Sequence, residues 1–269
     1  MTRLPLMLTC TGSLLFARST RAQSEYDCMI EARQNVEIRS PVEAMIESVR
    51  VTRGDSVTKG QVLVTLESGP ERAAFALAQS RAQAVGEIKA GEARVDITLK
   101  KLRRAEELVK QNFISVNARD EAEAEHKLAT EELRRAQENQ QIAHHEAKRA
   151  AEVLAMRTIR SPFSGVVVEV LLKPGEFGAI TFKDPILKLA ELDPLHVEVI
   201  LPVSQYGKVK PGQHATVMPE APVGGRYDTV VKIVDKVVDA ASGTFGVRLE
   251  LPNRRHNLPA GVRCKVQFH

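Results

Sequence analysis

The chain has 269 residues, of which 43% are hydrophobic but only 4% are aromatic, and its formal net charge is +4. This length exceeds that of one small domain, and the shortage of aromatic side chains argues against one thick globular core, so several small domains are expected. Acidic and basic residues alternate along the central region instead of forming one basic block, which argues against nucleic-acid binding.

Residues 1–22 have the pattern of a secretory signal peptide. A basic start at Arg3 precedes a mostly apolar run, and Ala22 is the expected cleavage position. The apolar run is short and contains Pro5 and Gly12, which argues against a stable membrane span, although a retained anchor is an open alternative. The mature chain is therefore expected in an oxidising compartment outside the cytoplasm.

Two similar segments rich in β-branched residues flank a long central region. Residues 36–70 contain short strand-like runs separated by glycine-containing turns, and residues 158–191 repeat that pattern. The tripeptide Arg-Ser-Pro opens both copies, at Arg39 and at Arg160. Because each half alone would expose an apolar sheet face, the two halves are expected to pair as one split β domain.

The region between the halves, residues 71–157, predicts two long helices in an antiparallel coiled-coil hairpin. The first helix is expected from Glu71 to Asn112, and Asn117 is the expected N-cap of the second. Apolar residues recur at heptad spacing in the first helix, at Ile88, Val95, Leu102 and Val109. Alanines form the matching column of the second helix, at Ala122, Ala129, Ala136, Ala143 and Ala150. Small side chains at this seam favour close helix packing.

Residues 192–269 return to short strands separated by regular turns, which predicts a small antiparallel β-barrel. Residues 23–35 contain a further strand that is expected to join this barrel. Cys28 lies in that strand and Cys264 in the last predicted strand. One disulfide between them and two separate buried thiols are both compatible with the sequence.

Taken in this order, the segments resemble the periplasmic adaptors (membrane-fusion proteins, HlyD family) of tripartite efflux systems. The resemblance covers nearly the whole mature chain and is carried by residues 54–63, 159–166, 192–217 and 243–253. It implies an elongated multidomain α+β fold, in which a long antiparallel α-helical coiled-coil hairpin is inserted in a split lipoyl-like β domain and followed by a small antiparallel β-barrel.

The resemblance also implies a function. Such a protein is not an enzyme and needs no cofactor. It resides in the periplasm, associated with the inner membrane, and assembles with copies of itself, as a hexamer. The assembly couples an inner-membrane efflux transporter to a TolC-type outer-membrane channel for the export of small molecules. The sequence after the last predicted strand is too short for the membrane-proximal domain of many relatives, so the mode of pump contact is left undefined.

The predicted tip of the hairpin carries the expected partner-binding residues. Arg104, Leu108 and Ser115 have the spacing of the arginine-leucine-serine signature with which adaptors of this family contact the channel. Arg104 and Leu108 are one helical turn apart on one face, and Ser115 lies in the turn. The resemblance therefore implies that these three residues bind the outer-membrane channel.

Several alternatives stay open beside this interpretation. A pump of the resistance-nodulation-division type is favoured, with an ABC-type or heavy-metal exporter as the alternative. A lipoyl or biotinyl carrier in an enzyme complex is disfavoured, because residues 66–70 at the junction contain no lysine to modify. A metal site is not expected, because the adjacent His144 and His145 point about 100° apart on a helix. A structural coiled-coil protein without any role in export is the third functional alternative.

Overall fold

The computed structural model describes residues 24–178 and 185–269, and the predicted signal peptide lies outside these residues. The chain divides into two compact units. One unit joins the segment that ends at Arg33 to Leu192–His269, and the other is Gln34–Glu191. Among the described residues, no helix combines the length and the apolar character that a membrane span requires.

The described part of the chain contains strands, three α-helices and a short 3-10 helix at Val203–Gln205. The strands are β1 (Glu25–Glu31), β2 (Gln34–Ile38), β3 (Ala44–Val49), β4 (Ser56–Val57), β5 (Val62–Leu66), β6 (Thr158–Arg160), β7 (Gly165–Val170), β8 (Phe177–Gly178), β9 (Leu187–Glu191), β10 (Leu195–Pro202), β11 (His214–Pro219), β12 (Tyr227–Val234), β13 (Thr244–Leu251) and β14 (Val262–Phe268). The helices are α1 (Gly69–Gln83), α2 (Gly86–Lys110) and α3 (Val116–Ala155).

The first unit is a closed antiparallel barrel with the strand order β1-β10-β13-β12-β11-β14. Its strands alternate between buried and more exposed residues, because successive side chains of a strand point to opposite faces. In β10, for example, the buried positions are Leu195, Val197, Val199 and Leu201. These side chains and their counterparts on the other strands fill the barrel with one apolar core. The small barrel predicted from the sequence is confirmed.

Strand β1 pairs with β10 on one side and with β14 on the other. In the second pairing Cys28 lies directly opposite Cys264, with their Cα atoms 4.8 Å apart. The two sulfur atoms form a disulfide, and both residues are buried in the barrel. Of the two states that the sequence left open, the structure therefore contains the bridge.

The second unit contains two four-stranded sheets, β2-β9-β7-β4 and β6-β5-β3-β8. Each sheet takes strands from both sequence halves. Residues 34–66 supply β2, β4, β3 and β5, and residues 158–191 supply the other four. Apolar side chains from both halves, among them Ile46, Leu63 and Leu189, share one core. The predicted pairing of two half-motifs into one split β domain is confirmed.

The helices lie between β5 and β6 in the chain. The prediction of a single first helix from Glu71 to Asn112 is wrong, because the chain leaves the helical conformation at Ala84 and Val85 and a new helix starts at Gly86. Ala84 has an extended backbone with ψ 109°. A β-branched residue followed by glycine has low helix propensity, which accounts for a break at this position.

Ion pairs show that α2 and α3 run antiparallel. Arg94 on α2 contacts Glu132 on α3 at 2.8 Å, and Lys101 contacts Glu125 at 2.5 Å. The residue number on α3 decreases as the residue number on α2 increases, as antiparallel packing requires. Helix α1 also contacts α3, so the three helices form a pair of arms joined by the turn between α2 and α3.

The base of this helical segment contains a partly buried ion pair. Glu71 in the first turn of α1 and Arg157 after α3 lie 2.6 Å apart, and each side chain is only 17% exposed. The carbonyl oxygen of Arg157 also accepts a hydrogen bond from the backbone N–H of Leu66 in β5. The chain therefore leaves the sheet and returns to it at one place.

The alanine column of α3 is tightly packed only in its first part. Ala122 and Ala129 are buried at 4% and 1% exposure. Ala136 is half-buried and borders two cavities of about 310 and 300 Å³. Room for a larger side chain therefore exists at Ala136 but not at Ala129.

We expect Ala129→Leu to lower the free energy of unfolding by roughly 1–3 kcal/mol, because the added atoms overpack a closed seam. Ala136→Leu is the matched control, since the same change in the same column has a cavity to enter. Thermal unfolding of the mature chain, followed by circular dichroism, measures both effects. An equal loss for the two variants would contradict this seam geometry.

Candidate functional site

The turn between α2 and α3 has a defined backbone geometry. Helix α2 ends at Lys110, and Asn112 adopts the left-handed conformation with φ 57°. The N–H of Asn112 donates to the carbonyl oxygen of Val109, and the N–H of Phe113 donates to that of Leu108, both at 2.9 Å. This pair of bonds is the Schellman motif, in which asparagine here takes the position usually occupied by glycine.

Ser115 caps the N-terminus of α3. Its Oγ accepts a hydrogen bond from the backbone N–H of Ala118 at 3.3 Å, and its backbone is extended. The prediction of Asn117 as the cap is wrong, because α3 begins at Val116 and Asn117 lies within its first turn. Serine is among the preferred N-cap residues, so Ser115 satisfies the geometry of the helix start.

Arg104 and Leu108 lie one turn apart near the end of α2, and both side chains are exposed. The Nε of Arg104 donates to the carbonyl oxygen of Lys100 at 3.2 Å. Within residues 24–178 and 185–269, no carboxylate forms an ion pair with Arg104. Arg104, Leu108 and Ser115 thus lie near the same end of the helical segment, and their binding of a channel stays a prediction.

Arg119 in the first turns of α3 differs from Arg104 in its electrostatic surroundings. Its guanidinium contacts Glu123 at 2.9 Å and Asp120 at 3.3 Å. A hydrogen bond and the positive charge from Lys127, together with Arg119, lower the pKa of the Glu123 carboxyl group. Glu123 therefore stays ionised and compensates Arg119, whereas Arg104 presents its charge to solvent.

Three apolar side chains around this turn are strongly exposed, at 40% for Leu108, 72% for Phe113 and 55% for Val116. Exposed apolar groups close together are a common mark of an interaction surface. The sequence analysis did not identify Phe113 or Val116 as site residues. The available signal was an aromatic residue in a short turn, where polar residues are the usual choice.

In the part of the chain that the structure describes, the histidines of the helical segment do not form a metal site. Among the described residues, no group of three or more His, Cys, Asp or Glu side chains is arranged to hold a metal ion. His144 and His145 are exposed on α3. In the seam between α2 and α3, the Nδ1 of His126 lies 3.2 Å from the Oγ1 of buried Thr98, so His126 is part of the helix packing.

Family models match both units. The model of the CzcB-like barrel-sandwich hybrid domain matches residues 34–191, and the model of the CusB-like β-barrel domain matches residues 194–269.

Two curated relatives match most of the chain. An uncharacterized protein of Haemophilus influenzae is 22% identical over 241 residues, which cover 89% of this chain and 56% of the relative. The efflux pump periplasmic linker BepD of Brucella suis biovar 1 is 25% identical over 260 residues, which cover 90% and 62%. The chain thus spans less than two thirds of the length of either relative.

The crystal structure of MacA from Actinobacillus actinomycetemcomitans is similar to this chain with a TM-score of 0.70 and 22% sequence identity. The match covers 91% of this chain and 78% of that one. At this identity the similarity shows a shared fold.

Proposed function

The chain belongs to the CzcB-like barrel-sandwich hybrid family of membrane-fusion proteins, and on this basis we propose that it is a periplasmic adaptor of an efflux system. In this role it couples an inner-membrane efflux transporter to a TolC-type outer-membrane channel and serves the export of small molecules. The observation that supports this most is the order of the parts. A barrel-sandwich domain interrupted by a pair of helical arms precedes a CusB-like barrel, and one relative is itself an efflux pump periplasmic linker.

The proposed adaptor has a structural role, and we assign it no catalytic step. Helices α1 and α2 form one arm and α3 the other arm of a long hairpin that extends from the split β domain. Copies assemble side by side as a hexamer in the periplasm, at the inner membrane, after the signal peptide has been removed. A resistance-nodulation-division transporter is the proposed partner at that membrane.

We propose that the end of the hairpin that carries Arg104, Leu108 and Ser115 is the binding region for the outer-membrane channel. Their position beside the α2–α3 turn supports this. Along the chain, this turn is the part of the helical arms that is most distant from β5 and β6. The exposure of Arg104 and the lack of a carboxylate partner in the described part of the chain leave its guanidinium available for an acidic group on the channel.

Reversal of the charge at Arg104 is expected to impair export. Arg104→Asp turns attraction to an acidic partner into repulsion and leaves the helix seam intact, because the side chain is exposed. In a strain that lacks the chromosomal gene, the variant should restore much less resistance to exported compounds than the wild-type chain does.

Arg103→Asp is the matched control for this experiment. Arg103 is also exposed, and it points about 100° away around the same helix. We expect this control to restore resistance, with both variants giving wild-type unfolding curves. Equal export by the two variants would exclude the proposed role of Arg104, and a gene deletion without any change in susceptibility would exclude the adaptor function itself.

A further inference from the structure

We propose that Phe113 is the apolar anchor with which the α2–α3 turn binds the outer-membrane channel, while Ser115 acts by capping α3. This inference rests on the proposed function and assigns the contact to a residue outside the arginine-leucine-serine signature. The partner surface that fits is an apolar pocket whose rim carries carboxylates.

The exposure of Phe113 is the first observation that supports an anchor. At 72% exposure it is the most exposed of the phenylalanines that the structure describes, in a chain with only 4% aromatic residues. The next most exposed phenylalanine in the described part of the chain is Phe177, at 59%. A buried aromatic ring contributes much of the binding energy at protein interfaces, and its exposure to water in the free protein is unfavourable.

The backbone of Phe113 is already ordered. Its N–H is bonded to the carbonyl oxygen of Leu108, and the preceding Asn112 holds the left-handed conformation that the motif requires. An anchor on a preformed turn loses little conformational entropy on binding, which favours affinity. Leu108, whose carbonyl oxygen accepts that hydrogen bond, and Val116, three residues after Phe113, also have exposed side chains.

The charge around the turn selects the partner. Arg119 is compensated by Asp120 and Glu123, and Lys110 at the end of α2 forms no ion pair within residues 24–178 and 185–269. In the described part of the chain, Arg104 has no carboxylate partner. An acidic rim around an apolar pocket complements this surface, whereas the same turn of a second copy would bring like charges together. We therefore assign the surface to the channel and not to tip-to-tip contact between copies.

The cap geometry limits what Ser115 can offer a partner. Its Oγ accepts a hydrogen bond from the N–H of Ala118, and the serine hydroxyl then retains one proton to donate and one lone pair to accept. The cap explains the presence of serine at this position without any contact to another protein. Asparagine caps a helix as well as serine does, so Ser115→Asn separates the capping role from a contact made by the hydroxyl group.

Binding of the mature chain to the purified channel protein of the same organism tests the anchor. Phe113→Ser is expected to weaken binding at least about thirtyfold, the effect typical of a hot-spot residue, whereas Phe113→Leu stays within about threefold of wild type. Ser115→Asn is expected to bind like wild type. Neither change at Phe113 should alter the melting temperature, since the ring is exposed.

The outcomes separate this inference from the function on which it rests. If Arg104→Asp abolishes binding while Phe113→Ser binds normally, the anchor is wrong and the adaptor function stands. If Ser115→Asn abolishes binding with unchanged thermal stability, Ser115 is a contact and the capping assignment is overturned. If the wild-type chain fails to bind the channel at all, the proposed function itself fails.

An adduct between the channel and a photoreactive phenylalanine analogue at position 113, absent when the analogue is at position 103, supports the anchor in cells.

Discussion

Loss of the Cys28–Cys264 disulfide is expected to lower the free energy of unfolding of the mature chain by up to about 5 kcal/mol. The bond joins residues 236 positions apart and therefore restricts the unfolded chain over nearly its whole length. This value is an upper one, because structure retained inside so long a loop reduces the entropy that the bond removes. Denaturant unfolding of the wild-type chain and of a Cys28→Ala/Cys264→Ala double variant measures the difference.

Thiol counting on the denatured, non-reduced protein provides the control. We expect no free thiol and a monomeric mass, because Cys28 and Cys264 are opposite each other on neighbouring strands. Each single variant leaves one thiol free to form dimers, so only the double variant isolates the loss of the bond. Two free thiols in the native protein, or a double variant as stable as wild type, would contradict the expected role.

Gly165→Ala is expected to cost about 3 kcal/mol or more, at the upper end of the range for overpacking. A Cβ atom at Gly165 would lie 2.2 Å from the carbonyl oxygen of Ala190 and 3.1 Å from the ring of Phe163. The first of these atoms belongs to the backbone of β9, which pairs with both β2 and β7. Relief of the clash therefore requires a shift of the sheet and not of one flexible side chain.

Gly69→Ala is the matched control, because a Cβ atom there meets nothing within 4 Å. Its effect on the free energy of unfolding should stay within about 0.5 kcal/mol, as for other unrestricted surface positions. Urea unfolding of both variants tests the comparison. Similar stability of the two would show that β7 and β9 approach each other less closely than the structure indicates.

The β regions were predictable because their signals are local and repeated. Alternation of apolar residues defines β10, and the Arg-Ser-Pro tripeptides at Arg39 and Arg160 mark the two halves of the split domain. The sequence left the pairing of Cys28 with Cys264 open beside two separate thiols, since the choice depends on the register between the first and the last strand of the barrel. Register follows from the three-dimensional fit of the strands and not from their individual patterns.

The errors in the helical region have separate physical origins. Heptad counting follows apolar side chains, which continue on both sides of the break, so it does not detect that Ala84 and Val85 leave the helix. The choice of Asn117 over Ser115 as the cap reflects the uncertainty of one or two residues at a helix end. The exposure of Phe113 depends on a turn geometry that the apolar pattern does not describe.

The position of the helical arms in the chain has an evolutionary consequence. They leave from β5 and return at β6, and these two strands are antiparallel neighbours in one sheet. Equal insertions or deletions in both arms therefore leave the sheets and the ion pair between Glu71 and Arg157 unchanged. Each seven residues added to both arms lengthen them by about 10 Å. Natural selection can thus adjust the length of the arms independently of the sheets.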